Sequence, residues 1–333
     1  MLRPRAIVAS LRFSTFVPAF GAALALAMAP SSARAQATDW PTKTVTTVTG
    51  FAAGGNSDVL ARLLTNRMAE QLKQPFVVES RVGASGAVAM RYVGQSPPDG
   101  YTLFFAAAPQ IGVVPNIQKL NFDPLQILTP VSVFATGPFV LVVNSSAPVS
   151  SVAEFVQWVK SHKLNYATGG AGSNAHLTAA AFLSRIGADA VNVPFRGSGA
   201  SMTALISNQV EFTFGNASDV MPFVDSGKVK ILGVAADHRM KQLPNVPTIS
   251  ETVPGPPMPS WNGVMVAAKT PKPVIDKIAA QVIAAAHDPA IVEKLALLGL
   301  EPNGTTPEDF AAQIKREQPE FDAAIAAAGL KQQ

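Results

Sequence analysis

Residues 49–64, TGFAAGGNSDVLARLL, read as the end of a strand, a glycine loop and the start of a helix. Before them, TVTTVT is β-branched throughout, which suits a pleated strand. After them, Val59, Leu60, Leu63, Leu64, Met68 and Leu72 recur at helical spacing. Asn56 or Ser57 can cap this helix, and Asp58 falls in its first turn, where negative charge is favoured. Gly54 and Gly55 allow a tight turn and expose backbone N–H groups, which makes the junction competent to hold an anion.

The same design recurs. Residues 76–79 are a second strand, the loop SRVGASG leads to a short helix ending near Gln95, and PPDG turns the chain into the buried strand 101–107. This β-α-β-α-β order implies a parallel sheet, whose ligands bind beyond the carboxyl ends of the strands. Pro109, Pro115 and Pro124 break the next segment, and 131–134 and 139–143 are strand-like. A capping box, Ser151 to Glu154, opens a helix to about Lys160. Three more strand–loop–helix units follow, with loops at 168–174, 194–199 and 215–219, and 230–235 adds a strand. A proline-rich connection, 244–259, precedes the strand 261–267. The rest is helical (274–286, 289–298, and 307 onward), with Pro319 expected to end or kink the last helix. The chain thus leaves a first domain, builds a second and returns.

The first 35 residues read as a secretory signal. Three arginines precede an apolar stretch, and Ala33-Arg34-Ala35 fits the cleavage rule, so the mature chain is expected to start at Gln36. Removing its four arginines leaves 22 basic and 22 acidic residues, so the high whole-chain pI gives no support for nucleic-acid or anionic-membrane binding. There is no cysteine, which excludes disulfides and thiolate metal sites. The four histidines, His162, His176, His238 and His287, include no pair at helical metal spacing, and neither a metal nor a cofactor is expected.

Several motifs carry two readings. Residues 170–175, GAGSNA, match a dinucleotide fingerprint between a strand and a helix. However, no acid closes the next strand to hold a ribose, since Asp189 precedes that strand; a small anion or amide at the helix N-terminus is preferred over a plain turn. Ser173, His176 and Asp219 are nominal triad members, the basis of an alternative reading as a secreted hydrolase of a carboxylic ester or amide. No nucleophile elbow accompanies them, and His176 is otherwise a first-turn polar residue. Asp58 and Asp219 either stabilise helix N-termini or face a pocket. Arg196 is either a surface residue or a charge-assisted contact to a carboxylate.

The ordered strings WPTKTVTTVTGFAAGGNSDVLAR, QPFVVESRVGASG, PPDGYTLFF, VNVPFRGSGA, LPNVPTISE and LGLEPNGTTPEDF resemble the substrate-binding proteins of tripartite tricarboxylate transporters, the Bug (TctC-like) family, from about Trp40 to Leu330. The resemblance implies a type II periplasmic binding protein. Two α/β lobes, 36–133 with 237–333 and 134–236, would be joined by two crossing strands around a ligand cleft. It implies no enzyme, a carboxylate ligand held by backbone N–H groups, hydroxyls and water, and delivery to a permease of a large and a small subunit. A periplasmic monomer is expected. Carried onto this chain, the first wall is Phe51, Ala52, Gly55, Asn56, Ser57 and Asp58, with Ala84, Ser85 and Ala108. The second is Thr168, Gly169, Ser173, Asn174 and His176, then Phe195, Arg196 and Gly197, then Asn216 and Asp219. Three departures stand out. Ala52-Ala53 replace a proline pair, residues 80–86 read SRVGASG where NRPGAGG is common, and Gly215 stands where an acid is common. Loss of that acid disfavours a ligand amine and favours plain or aromatic carboxylates.

Overall fold

The computed structural model describes residues 39–330 apart from Ala171 and Arg196; the expected signal segment and Arg196 lie outside the described residues. Two sheets organise the chain. In the first, Val45–Thr49 (β1) lies between Phe76–Ser80 (β2) and Thr102–Ala107 (β3), parallel to both. Parallel neighbours need crossovers, and the helices Asn56–Leu72 and Ala87–Gly94 supply them. Leu60, Leu64 and Met68, one turn apart, form the buried stripe of the longer helix.

Leu128–Thr136 (β4) then leads out of this sheet, and Trp261–Ala267 (β10) enters between β3 and β4, antiparallel to both. The short strand Glu301–Pro302 (β11) closes the edge beside β4.

The second sheet repeats the plan. Leu164–Thr168 (β6) pairs in parallel with Ala190–Pro194 (β7) and Phe212–Asn216 (β8). Phe139–Asn144 (β5) enters antiparallel between β8 and Val229–Ala235 (β9). The orders β2-β1-β3-β10-β4 and β7-β6-β8-β5-β9 match strand for strand. In each sheet the inserted strand is the one arriving from the other. The two crossings touch where the Gly137 N–H donates to the Ser260 carbonyl at 3.2 Å.

Adjacent side chains alternate across a strand, so Phe104 and Phe105, both fully buried, pack into the two cores on opposite faces of the first sheet. The second sheet likewise has a core on each face. The helix Pro307–Ala327 closes one face of the first sheet with Phe310, Ile314 and Phe321. Leu177 and Ala181, from the helix Asn174–Ile186 beside the second sheet, join the same core. Arg185 pairs with Glu320 at 3.3 Å along this junction.

Proline behaves differently from the expectation. Pro109, Pro115 and Pro124 do not break the segment before β4 but start three short helices, Ala108–Gly112, Val114–Ile117 and Pro124–Ile127. In a first turn the missing N–H costs nothing and the fixed φ is already helical. Pro319 does not end its helix, which runs eight residues further. An interior proline costs about 3 kcal/mol, and the burial of Phe321, Ala324 and Ile325 beyond it offsets that cost.

Phe310 is fully buried and meets the Trp261 ring edge-on at 4.8 Å. Phe310→Ala is expected to destabilise the protein by about 3–5 kcal/mol, read as a lower denaturant midpoint with an unchanged slope.

Candidate ligand cleft

The carboxyl ends of the parallel strands in both sheets open onto one cavity of about 540 Å³. On the first side, Gly55 is the N-cap of the helix Asn56–Leu72 and gives no side-chain cap, so the first-turn N–H groups stay open beside Asn56 and Ser57. Phe51 lines the cavity, whereas Ala52 is exposed outside it. Asp58 does not reach the cavity. Its carboxylate accepts from Arg62 Nε and Nη2 at 2.9 and 3.0 Å and from the Gly54 N–H at 3.0 Å. The Arg62 hydrogen bonds hold its pKa below the ordinary carboxylate range. Asp58 therefore folds the glycine loop back and presents no charge to the cavity.

Ser85 lines the cavity and its Oγ accepts from Gln118 Nε2 at 3.0 Å; Ala84 does not line it. At the end of β3 the expected contact shifts. Ala108 is fully buried in the core, and Ala107, Pro109 and Gln110 face the cavity instead.

On the second side, Gly169, Ser173, Asn174, Gly197, Asn216 and Asp219 line the cavity. Thr168 does not; it is fully buried, and its hydroxyl donates to Asn192 Oδ1 at 2.9 Å. Phe195 does not line the cavity; it is half-buried against a core of the second sheet that includes Met202. Gly197, at φ +93°, caps the helix Ser198–Ile206 without a side chain. Asn216 gives its helix Ala217–Asp225 no side-chain cap, and its Nδ2 donates to Asp219 Oδ2 at 3.4 Å. Gly215 lines the wall. Asp219, one turn on, keeps a carboxylate there, so the missing acid at 215 does not by itself disfavour an amine.

His176 also lies outside the cavity. It is 5 % exposed, and its Nδ1 accepts from the Gly172 N–H at 3.1 Å. Its ring packs near Tyr166 in a side pocket of about 360 Å³ with Asp189 and Asn192. Burial lowers the His176 pKa and pushes the Tyr166 hydroxyl up to about 12. Ser173 Oγ accepts from the His176 backbone N–H as a helix cap. Ser173, His176 and Asp219 are thus each engaged elsewhere, and no triad relay joins them among the described residues.

Residues invisible to motif reading complete the walls. Val114, Ile117, Phe139, Met202, Phe214 and Trp261 make the lining largely apolar. Asn262 Nδ2 donates to Ser57 Oγ at 3.2 Å. Trp261 Nε1 donates at 2.8 Å to Glu317, whose pKa burial raises. Asp219 is the one charged residue among the described lining residues.

Residues 60–330 match the family described as the tripartite tricarboxylate transporter family receptor (TctC). The chain belongs to this family. A UPF0065 protein of Bordetella bronchiseptica is 32% identical over 317 residues, covering 93% of this chain and 95% of that protein. The R. palustris protein Rpa4515, solved with adipate, superposes with a TM-score of 0.79 at 32% identity, over 88% of this chain and 100% of that one. MatC from Rhodopseudomonas palustris, solved with bound malate, gives 0.74 at 32% identity, over 86% and 100%. The two-lobed fold is that of these TctC solute-binding proteins, a periplasmic family that is not an enzyme class. No helix among the described residues is long and apolar enough to cross a membrane.

His176 ties acidity to the binding loop, because only a neutral ring accepts from Gly172. The unfolded chain takes up this proton near pH ~6.5 and the folded chain only below that. Unfolding is therefore favoured as pH falls through this window. The melting temperature of the ligand-free protein should drop between about pH 7 and pH 5. His176→Gln, which keeps an acceptor for Gly172, should flatten that drop. Glu317, raised by burial, acts in the opposite sense, so the difference between the two proteins is the quantity to read.

Proposed function

We propose that this chain captures a small carboxylate between its lobes and delivers it to a tripartite tricarboxylate transporter permease. The observation carrying this reading is the convergence of four helix N-termini, beginning at Asn56, Asn174, Ser198 and Ala217, from both sheets onto one cavity. Three of them lack a side-chain cap. Each oriented terminus favours an anion by about 0.3–1 kcal/mol. Micromolar binding needs about −8 kcal/mol, so hydrogen bonds and the apolar wall supply the remainder. The adipate and malate bound by two relatives support a carboxylate as the ligand class. Aromatic carboxylates fit the same reading, because Phe51, Phe139 and Phe214 line the walls.

The lobes are 36–133 with 237–333 and 134–236, a division supported to within a few residues by the changes of sheet after Thr136 and Ala235. Closure is a hinge motion at the two crossings, driven by tighter binding to the closed form. The binding residues are those at Phe51, Gly55–Ser57, Ser85, Gly169, Ser173–Asn174, Gly197, Asn216 and Asp219. The protein works as a monomer in the periplasm after cleavage at Ala35, and it catalyses no reaction.

Mass spectrometry of material released from freshly purified, denatured mature protein should find a small carboxylate. The same compound added at a hundredfold excess over its dissociation constant should stabilise the protein by about 2.7 kcal/mol. No released carboxylate, together with no thermal shift across a carboxylate panel, sinks the reading.

A further inference from the structure

Behind the loop 168–174 lies the side pocket of about 360 Å³, between the helix Asn174–Ile186, the strand β7 and the end of the helix Pro307–Ala327. Its volume falls within the range of cavities that hold small molecules. Two of its polar side chains are more than nine-tenths buried, His176 at 5 % and Tyr166 at 4 % exposed. His176 Nδ1 accepts from the Gly172 N–H, so the ring is neutral and carries its hydrogen on Nε2. Neither Nε2 nor the Tyr166 hydroxyl meets a partner among the described residues, and neither is sealed from the pocket. The floor thus presents an N–H and an O–H that no protein group takes up. Asn192 spends its Oδ1 on the Thr168 hydroxyl and adds its NH₂ as a further donor.

The rim has the opposite character. Asp189 is exposed there without an ion-pair partner among the described residues. The C-terminal end of the long helix, at Ala327 and Ala328, adds a partial negative charge. Arg185, on the same helix as His176, is paired with Glu320 at 3.3 Å. A carboxylate is therefore repelled at this rim, and a metal ion finds no lone pair on Nε2. We propose that the pocket is an accessory site for a small primary amine that also carries a neutral hydrogen-bond acceptor, with the ammonium at Asp189 and the acceptor on the His176 Nε2–H. Occupancy reaches the cleft through the same ring. A hydrogen bond accepted from Nε2–H polarises the imidazole and makes Nδ1 a stronger acceptor for the Gly172 N–H. Gly172 lines the cleft and lies against the Ile117 side chain from its opposite wall.

The probes are ethanolamine, aminopentanol and the uncharged pentanediol, titrated into the mature protein at about pH 8, where the His176 ring is neutral and the amines are protonated. The His176 and Tyr166 ring resonances are followed by NMR. At least one amine should shift both along a saturating curve, and the Gly172 amide should move on the same curve. Pentanediol, which cannot form the charge-assisted hydrogen bond, should bind about tenfold more weakly or less. Asp189→Asn keeps the size of an exposed side chain and should weaken the amine about tenfold. No saturating shift with either amine overturns the site. Equal binding of pentanediol, a comparison that needs no variant, does the same, and so does unchanged amine affinity in a folded Asp189→Asn protein. A Gly172 amide that stays still while the His176 ring moves overturns the link to the cleft. None of the probes carries a carboxylate, so these outcomes leave the carboxylate reading untouched.

Discussion

The entry of β10 between β3 and β4 is the constraint on which the first wall of the cleft depends. Antiparallel pairing places Asn262 opposite Ala107 and Trp261 opposite Thr136. Asn262 thereby reaches Ser57 at the N-terminus of the first long helix, and Trp261 reaches Glu317 on the C-terminal helix. The same insertion lays the two crossing segments side by side, so Gly137 meets Ser260. The β5 strand plays the equivalent part in the second sheet, beside β8. A sheet of purely consecutive strands would put neither crossing segment beside the carboxyl ends where helix N-termini gather.

Those termini bring polar groups to a largely apolar cavity without a cation among its described lining residues. The charges nearby are spent on shaping loops. Arg62 neutralises Asp58, and together with the Gly54 N–H this folds the first glycine loop. His176 anchors the second loop through Gly172 from a pocket behind the wall. The described lining therefore offers hydrogen-bonding groups and apolar surface in place of a cation.

The strand–loop–helix units were legible because their signals are local. β-Branched runs, glycine pairs and helical apolar spacing each act within a few residues. The positions of Phe51, Ser57, Ser173 and Asn216 followed from them, as loop residues at strand ends. The prolines before β4 suggest a broken segment because a proline at a helix start and a proline that stops a helix look alike until it is known on which side of each the helix lies. Thr168, Asp58 and Ala108 sit at the right height on their elements but point into the protein, and the side of a loop that faces a cavity is set by what packs against its other side.

The sequence by itself determined the family, the order of elements and the loops that line the cavity, because those depend on short-range patterning and ordered motifs. Only the tertiary structure decided which atoms of those loops face the cavity. Asn262 meets Ser57 across 205 residues, and the Gln110 side chain packs against Gly50 and Gly86, two glycines distant from it in the chain. Contacts across such separations exist once the sheets have formed, so no local pattern announces them.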